Sequence, residues 1–140
     1  RGEEGIEGMN TFDYMDSMFR VFVHDEELTR ALGMKKGSQE TVDKLRREDV
    51  LPEEYDAKKL PFIAFYFADA FTSASDFMNN GNLKIDIYSR ERRSAGTIRK
   101  RIVQLMHMFF DERVRAEGQY ASGIPHVYKY RLEFSPIVLT

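Results

Sequence analysis

The segment from Asn82 to Phe110, NLKIDIYSRERRSAGTIRKRIVQLMHMFF, decides the fold that this sequence predicts. Apolar and polar residues alternate from Leu83 to Tyr88, which is typical of a strand with one face on a core and the other in water. Asp86 falls on the outward face of this strand, and we therefore expect its carboxylate to be solvated. The strand is followed at once by a group of arginines.

A helix is predicted directly after this arginine-rich turn. Ser94 is placed to cap its first turn, because a serine hydroxyl can accept a hydrogen bond from a free N–H group there. The buried stripe of the helix is marked by apolar residues at steps of four, three and four, with two more that widen it: Ile98, Ile102, Leu105 and Phe109, then Met106 and Phe110. The segment therefore predicts a β-to-α unit whose apolar sides meet.

Two more strands are predicted around this unit. The stretch IAFYFADAF, residues 63–71, is apolar on both faces, which favours a central strand. The pair Asn80-Gly81 predicts a tight turn between it and the strand that starts at Leu83, since both residues tolerate positive φ. The stretch HVYKYRLEF, residues 126–134, alternates as a one-sided strand, and Pro136 marks the exit from the sheet.

The N-terminal part predicts helix followed by loop. Apolar residues recur at helical spacing between Asn10 and Gly33, as one long helix or as two short ones with the second opening at Asp25. Either Thr11 or Asn10 could cap the start. Residues 34–59 are polar and are predicted as a long loop, in which residues 41–48 could form one or two helical turns.

These elements predict an α+β fold, with a small, mainly antiparallel sheet on which an N-terminal helix and one crossover helix pack. The 140 residues suffice for one core, so residues 9–140 are predicted as a single domain with the loop at 34–59. Residues 1–8 are acidic and glycine-rich and are expected to be a leader.

Charge and composition restrict the function. The net charge is −2, but residues 1–59 carry 10 basic and 15 acidic residues whereas residues 60–140 carry 11 and 8, so the halves differ as −5 and +3. Such asymmetry can steer one copy of the chain onto another, or the basic half onto an acidic partner. The longest apolar run, residues 60–71, is shorter than the roughly 20 residues of a membrane-spanning helix, so no membrane partner is predicted.

The sequence shows no catalytic motif. Its three histidines, His24, His107 and His126, do not have the spacing of zinc ligands, and no phosphate-binding or nucleophile motif occurs. We therefore predict no enzyme, no metal and no cofactor. The enzyme that remains conceivable is a metal-dependent nuclease built on Asp69 and Asp86.

The candidate interaction site is the basic turn and the helix that follows it. A solvated helix face is one explanation for so many cations; a contact with nucleic-acid phosphates and a salt-bridged interface with the acidic N-terminal half of another copy are two others. The residues concerned are Arg90, Arg92, Arg93, Arg99 and Arg101.

Taken together, four segments resemble the tail-completion and tail-terminator proteins of long-tailed bacteriophages and related prophages. They are DEELTRALG, LPFIAFYF, LKIDIYSRERRSAGTIRKRIVQLM and VYKYRLEFSPIV. The resemblance implies an α+β protein of the head-tail junction of the virion, made in the host cytoplasm. It also implies a homo-oligomeric ring, often a hexamer, which binds the tail tube and the head connector without catalysis and with weak DNA contact at most.

An alternative prediction is a nucleic-acid-binding module with a ferredoxin-like sheet. In that case Arg92, Arg93 and Arg99 would bind phosphates, and the affinity for DNA would fall steeply with added salt.

Overall fold

The computed structural model describes residues 9–34, 41–68, 72–73 and 78–139. The expected leader, residues 1–8, lies outside them. The described helices are α1 (Thr11–His24), α2 (Glu26–Ala31), α3 (Thr41–Lys44) and α4 (Arg92–Phe110), and two 3-10 turns span Pro52–Glu54 and Ala57–Lys59. The strands are β1 (Leu45–Arg46), β2 (Phe62–Phe67), β3 (Thr72–Ser73), β4 (Met78–Asn80), β5 (Leu83–Ser89), β6 (Ala116–Tyr120), β7 (Tyr128–Phe134) and β8 (Ile137–Leu139).

A five-stranded sheet in the order β1-β2-β5-β7-β6 forms the centre of the fold. All neighbours in it are antiparallel except β1, which runs parallel to β2. Phe67 pairs with Leu83 at one end of the sheet, the Phe67 end, and Phe62 pairs with Tyr88 at the other, the Phe62 end. The predicted α+β fold with a mainly antiparallel sheet is confirmed.

The ferredoxin-like sheet of the alternative prediction is wrong. That arrangement requires the order β-α-β-β-α-β, whereas β5, α4 and β6 are the only place in the described chain where a long helix stands between two strands. β7 then lies between β5 and β6 in the sheet.

The N-terminal segment forms two helices, which decides between the two alternatives left open by the sequence. Asn10 caps α1, since its side-chain oxygen accepts a hydrogen bond from the Asp13 N–H at 2.8 Å. Asp25 stands between the helices and caps α2 by accepting from the Leu28 N–H at 2.9 Å. Gly33 follows α2 with a φ of +74°, the left-handed conformation that ends helices.

Helices α1, α2 and α4 cover one face of the five-stranded sheet, which we call the helix-covered face. At its centre the ring of Phe22 from α1 lies 5.4 Å from that of Phe65 in β2. Alternate residues of the strands meet the apolar stripes of the helices, and most are fully buried: Ile63, Phe65, Ile85, Ile87, Leu132 and Phe134 from the sheet, with Met18, Leu28, Ile98, Ile102 and Leu105 from the helices. The predicted stripe on α4 is thus confirmed at these positions, whereas Phe109 is exposed.

The opposite face of the sheet, the polar face, is also partly buried. Val50 and Leu60, from the segment between β1 and β2, pack there against Phe62, Ala64 and Tyr88. The prediction that β5 keeps one face in water is therefore wrong, because a segment predicted as a loop folds back over it.

Helix α4 begins earlier than predicted. Its N-cap is Glu91, which makes no side-chain cap hydrogen bond, so the prediction of Ser94 as the cap is wrong. The earlier start places Ala95 in the buried stripe, three residues before Ile98. Burial of the stripe therefore outweighs the preference of a serine for the capping position.

The turn predicted at Asn80-Gly81 is replaced by a sheet contact. β4 ends at Asn80 and belongs to a second sheet, in the order β3-β4-β8. Gly81 then donates its N–H to the Pro136 carbonyl at 2.8 Å, and a Cβ atom at Gly81 would lie 2.5 Å from the ring of Phe67. The glycine is needed for this close approach and not for a tight turn.

Three further features bear on the predictions. The segment at 41–48 contributes one helical turn, α3, as expected, and also the short strand β1.

The sequence did not predict the strands β6 and β8. No helix within the described ranges has both the length and the apolar composition needed to cross a membrane.

Candidate interaction surfaces

A buried ion network lies at the centre of the polar face. Asp86 is 0% exposed. Its Oδ1 accepts a hydrogen bond from Arg131 Nε at 2.7 Å, and its Oδ2 accepts from Tyr66 Oη at 2.8 Å. Lys129 Nζ lies 3.7 Å from the same Oδ2. The prediction of a solvated Asp86 is therefore wrong.

The pairing register of four strands builds this network. Ala64, Asp86, Arg131 and Gly118 lie side by side across β2, β5, β7 and β6. Arg131 thus reaches Asp86 on one side and lies 4.3 Å from the ring centroid of Tyr120 on the other. The hydrogen bond to Asp86 raises the pKa of Arg131, and burial followed by the Asp86 charge raises the pKa of Tyr66. Arg131 therefore stays charged near neutral pH, and Tyr66 keeps its hydroxyl proton.

The carboxylate of Asp86 is committed to its own neighbours. A nuclease would need this group as a metal ligand, but Arg131 and Tyr66 occupy both oxygens. Asp69, the second residue of that hypothesis, lies outside the described residues. Within the described part of the chain, no three His, Cys, Asp or Glu side chains are grouped so that they could hold a metal ion.

Two of the five candidate arginines are paired with carboxylates of the same chain. Arg99 of α4 forms two hydrogen bonds to Glu117 of β6, at 2.8 and 2.7 Å. Arg101 forms two to Asp25, at 2.9 and 2.7 Å, and so ties α4 to the start of α2. These hydrogen bonds lower the pKa of Glu117 and of Asp25. Neither guanidinium group is free for a partner.

The other three arginines form what we call the basic cluster, at the Phe62 end of the sheet. Arg90 follows β5 and donates from Nη2 to the Ala57 carbonyl at 3.0 Å. Arg92 and Arg93 open α4 and are exposed. Across the described residues, no carboxylate forms an ion pair with any of the three.

The position of the basic cluster is electrostatically unfavourable in the isolated chain. The N-cap, Glu91, brings one carboxylate to this end but makes no side-chain cap hydrogen bond, and the first turn itself contains no acidic residue. Arg92 and Arg93 occupy the positive end of the helix dipole. Each cation at such a position costs roughly 0.3–1 kcal/mol when exposed. A carboxylate or phosphate brought to this end from another molecule would remove that cost.

The Phe67 end of the sheet carries an exposed apolar surface, which we call the apolar end. Phe12, at the start of α1, is 80% exposed. Met108 and Phe109 are exposed on the last turn of α4, next to Phe110, whose ring packs 5.0 Å from that of Tyr14. Ile137 of β8 is also exposed. These are four of the six large apolar side chains that are exposed in the described residues.

A cleft of about 560 Å³, which we call the Phe12 cleft, opens beside this surface. It lies between the start of α1, the segment after β1 and the end of β2, and three carboxylates and one guanidinium group line it together with apolar side chains. The lining residues that matter below are Phe12, Met15, Asp16, Arg47, Glu48, Asp49 and Phe67.

No protein-family model matches this chain, and no curated protein matches it.

Sequence reasoning brought five arginines together, and the structure separates them into two internal ion pairs and one free cluster. It missed the Phe12 cleft, because this cleft needs the segment at 47–49 to lie against α1, and no periodic pattern encodes that contact. It also missed the Asp86 network. The signal for the network was present, since Asp86, Lys129 and Arg131 all alternate onto the same face of neighbouring strands.

Proposed function

We propose that this chain is a non-enzymatic assembly protein of the head-tail junction of a long-tailed bacteriophage or related prophage. It forms a ring of identical chains, hexameric by resemblance, that completes the tail tube or joins it to the head connector. The proposal starts from the likeness of four segments to tail-completion and tail-terminator proteins. The observation that carries it furthest is the apolar end of the sheet.

The apolar end has the chemistry of a protein contact. Phe12, Met108 and Phe109 present large side chains to water at one end of the molecule. Phe and Met are enriched at the centres of protein interfaces, and clustered exposed apolar groups mark places that another protein covers. The internal commitment of Asp86, Arg99 and Arg101 agrees with a structural role, because these groups are used to hold the fold together.

Labelling the particle tests the proposal. The chain is given an epitope tag in a phage or inducible prophage that encodes it, and purified virions are examined by immunogold electron microscopy. We expect label at the head-proximal end of the tail, and we expect genes for a portal, a major capsid protein and a tail tube next to its own. A chain that is absent from purified virions would contradict the proposal.

Nucleic-acid binding is the second candidate, and the basic cluster favours it. Three exposed guanidinium groups at the positive end of a helix suit phosphate oxygens. If Arg90, Arg92 and Arg93 each contact one phosphate, the logarithm of the affinity for duplex DNA should fall with the logarithm of salt concentration with a slope of about −3. Fluorescence anisotropy with a labelled duplex measures it, and a flat response would exclude this candidate.

A further inference from the structure

We infer that copies of this chain bind head to tail, with the basic cluster of one copy in the Phe12 cleft of the next. The occupant of the cleft is thus a second copy of the same chain, and its contact groups are Arg90, Arg92 and Arg93. The inference rests on the proposed function, because it names the two surfaces through which the ring would form.

The two surfaces lie at opposite ends of the molecule. The cleft includes Phe67, whose partner Leu83 begins β5, and the cluster follows Ser89, which ends β5. The 7 residues of this strand separate them by roughly 20 Å at about 3.4 Å per residue. The cluster of a chain therefore does not reach its own cleft, whereas it can reach that of another copy.

The charges of the two surfaces are complementary. Asp16, Glu48 and Asp49 line the cleft, and its one guanidinium group, Arg47, is already bound to Asp16 at 2.9 Å. Glu48 forms no ion pair with any described residue. The cluster supplies guanidinium groups that lack a carboxylate. Contact would give both sides their missing partners and would place acidic groups at the positive end of α4.

The apolar lining of the cleft also suits arginine. The stem of an arginine packs on apolar groups, and its planar head stacks on aromatic rings. Such stacking occurs three times among the described residues, with Arg46 at 4.8 Å from the centroid of Phe62, Arg47 at 4.6 Å from Phe19 and Arg131 at 4.3 Å from Tyr120. Phe12, which is exposed at the rim of the cleft, would offer a further ring to an incoming arginine.

The contact between unlike surfaces allows three kinds of assembly, which sedimentation distinguishes. An antiparallel two-fold dimer would make the cluster-to-cleft contact twice and would stop at two copies. Where each copy instead uses its cluster on one neighbour and its cleft on another, further copies add, into a ring if the rotation between neighbours closes and into an open filament if it does not. The proposed function requires the ring, which has a fixed size above two copies.

Charge reversal tests the contact. Arg92→Glu/Arg93→Glu reverses the cluster, and Glu48→Lys/Asp49→Lys reverses the cleft. Sedimentation velocity of the full chain at 50 mM NaCl should show assembly of the unchanged protein that weakens at 500 mM NaCl, since exposed charges are screened by salt. Each variant alone should associate at least about tenfold more weakly, and a 1:1 mixture of the two should assemble again.

The control matched to the cluster variant is Arg30→Glu/Lys100→Glu, which makes the same change of net charge at two other exposed positions. It should assemble like the unchanged protein. Circular dichroism checks that every variant is folded. Should a charge-reversed variant fail to fold, Phe12→Ala supplies the test, because this side chain is 80% exposed and its removal should weaken assembly without loss of fold.

The outcomes separate this inference from the proposed function. If the unchanged protein does not associate, if the reversed variants associate as it does, or if the mixture fails to recover, the head-to-tail contact is overturned. The result of the virion labelling does not depend on any of these three sedimentation outcomes, so the proposed function can hold when the head-to-tail contact fails. A cluster variant that loses DNA binding but keeps self-association would overturn the contact in favour of the nucleic-acid candidate.

Discussion

The two faces of the central sheet are buried by different means. On the helix-covered face Phe65 is 0% exposed among apolar side chains, and on the polar face Asp86 is equally buried beside Arg131 and Lys129. Apolar groups gain free energy merely by leaving water, whereas a buried carboxylate is tolerated only while its partners satisfy it. Substitutions on the helix-covered face should therefore change the free energy of unfolding according to the side-chain volume they remove. Substitutions on the polar face should change it according to the charges they leave without a partner.

The largest expected effect lies on the helix-covered face. Phe65→Ala removes a fully buried ring that packs against Phe22 and leaves a cavity between sheet and helix. We expect a loss of about 4 kcal/mol in the free energy of unfolding, measured by urea denaturation. Phe12→Ala is the matched control and should change it by less than about 0.5 kcal/mol, because that ring is exposed. A loss below about 1 kcal/mol for Phe65→Ala would mean that the two faces do not differ as described.

A somewhat smaller effect is expected from the polar face. Asp86→Ala leaves two cations without their carboxylate, and we expect a loss of about 3 kcal/mol. This loss is at the low end of the range for buried ion pairs. The side chains of Arg131 and Lys129 are 13% and 11% exposed, so water can reach them once the carboxylate is gone.

The triple replacement Asp86→Leu/Lys129→Met/Arg131→Met sharpens this comparison. It removes all three charges of the network and fills their space with apolar groups, so it should restore most of the stability lost by Asp86→Ala. Urea denaturation of the unchanged protein and the two variants at one salt concentration gives the answer. If the triple variant is as unstable as the single one, the network contributes through shape and not through charge.

The smallest effect is expected at the rim of the helix-covered face, where ion pairs also occur. Arg101 and Asp25 keep 19% and 13% of their side-chain exposure, and Arg101→Met should cost about 1–2 kcal/mol at pH 7. Arg99→Met is its matched control and should cost less than about 1 kcal/mol, because Arg99 and Glu117 are 35% and 26% exposed.

The effect of Arg101→Met should depend on pH. The hydrogen bond from Arg101 lowers the pKa of Asp25 in the folded chain, so the stability it brings is present above the ordinary aspartate pKa of about 3.9 and is lost as the pH falls below it. The difference between the unchanged protein and the variant should therefore shrink from pH 4 to pH 2. A difference that stays constant over this range would show that Arg101 acts only through packing.

The same contrast explains how much of the fold the sequence predicts. The alternation at Leu83, Ile85 and Ile87 and the spacing from Ile98 to Leu105 predict the helix-covered face, because an apolar stripe has a period and needs no knowledge of its partner. The same alternation places Asp86 on the opposite face of the strand, but it does not tell whether that face is buried. Its burial depends on which strand lies beside β5 and in which register, and that information is spread over residues 45 apart in the chain.

The candidate site was predicted only in part, for a related reason. The arginine-rich composition of residues 90–101 marked the right segment. It could not tell Arg92 from Arg99, since the difference lies in whether a glutamate of β6 comes within reach. The start of α4 shows the same limit, because Ser94 has the better capping chemistry and the burial of Ala95 decides the helix boundary.

The outer strand β6 has a consequence for a chain that meets its own copies. It pairs only with β7 among the described elements, so its second edge carries free backbone N–H and C=O groups, a template for runaway cross-β growth. The strand is only 5 residues long, with Glu117 and Gly118 at its centre. A short edge that contains a charge and a glycine is a poor template for strand pairing. Copies that gather at high local concentration would therefore associate through side chains and would not form fibres by adding strands.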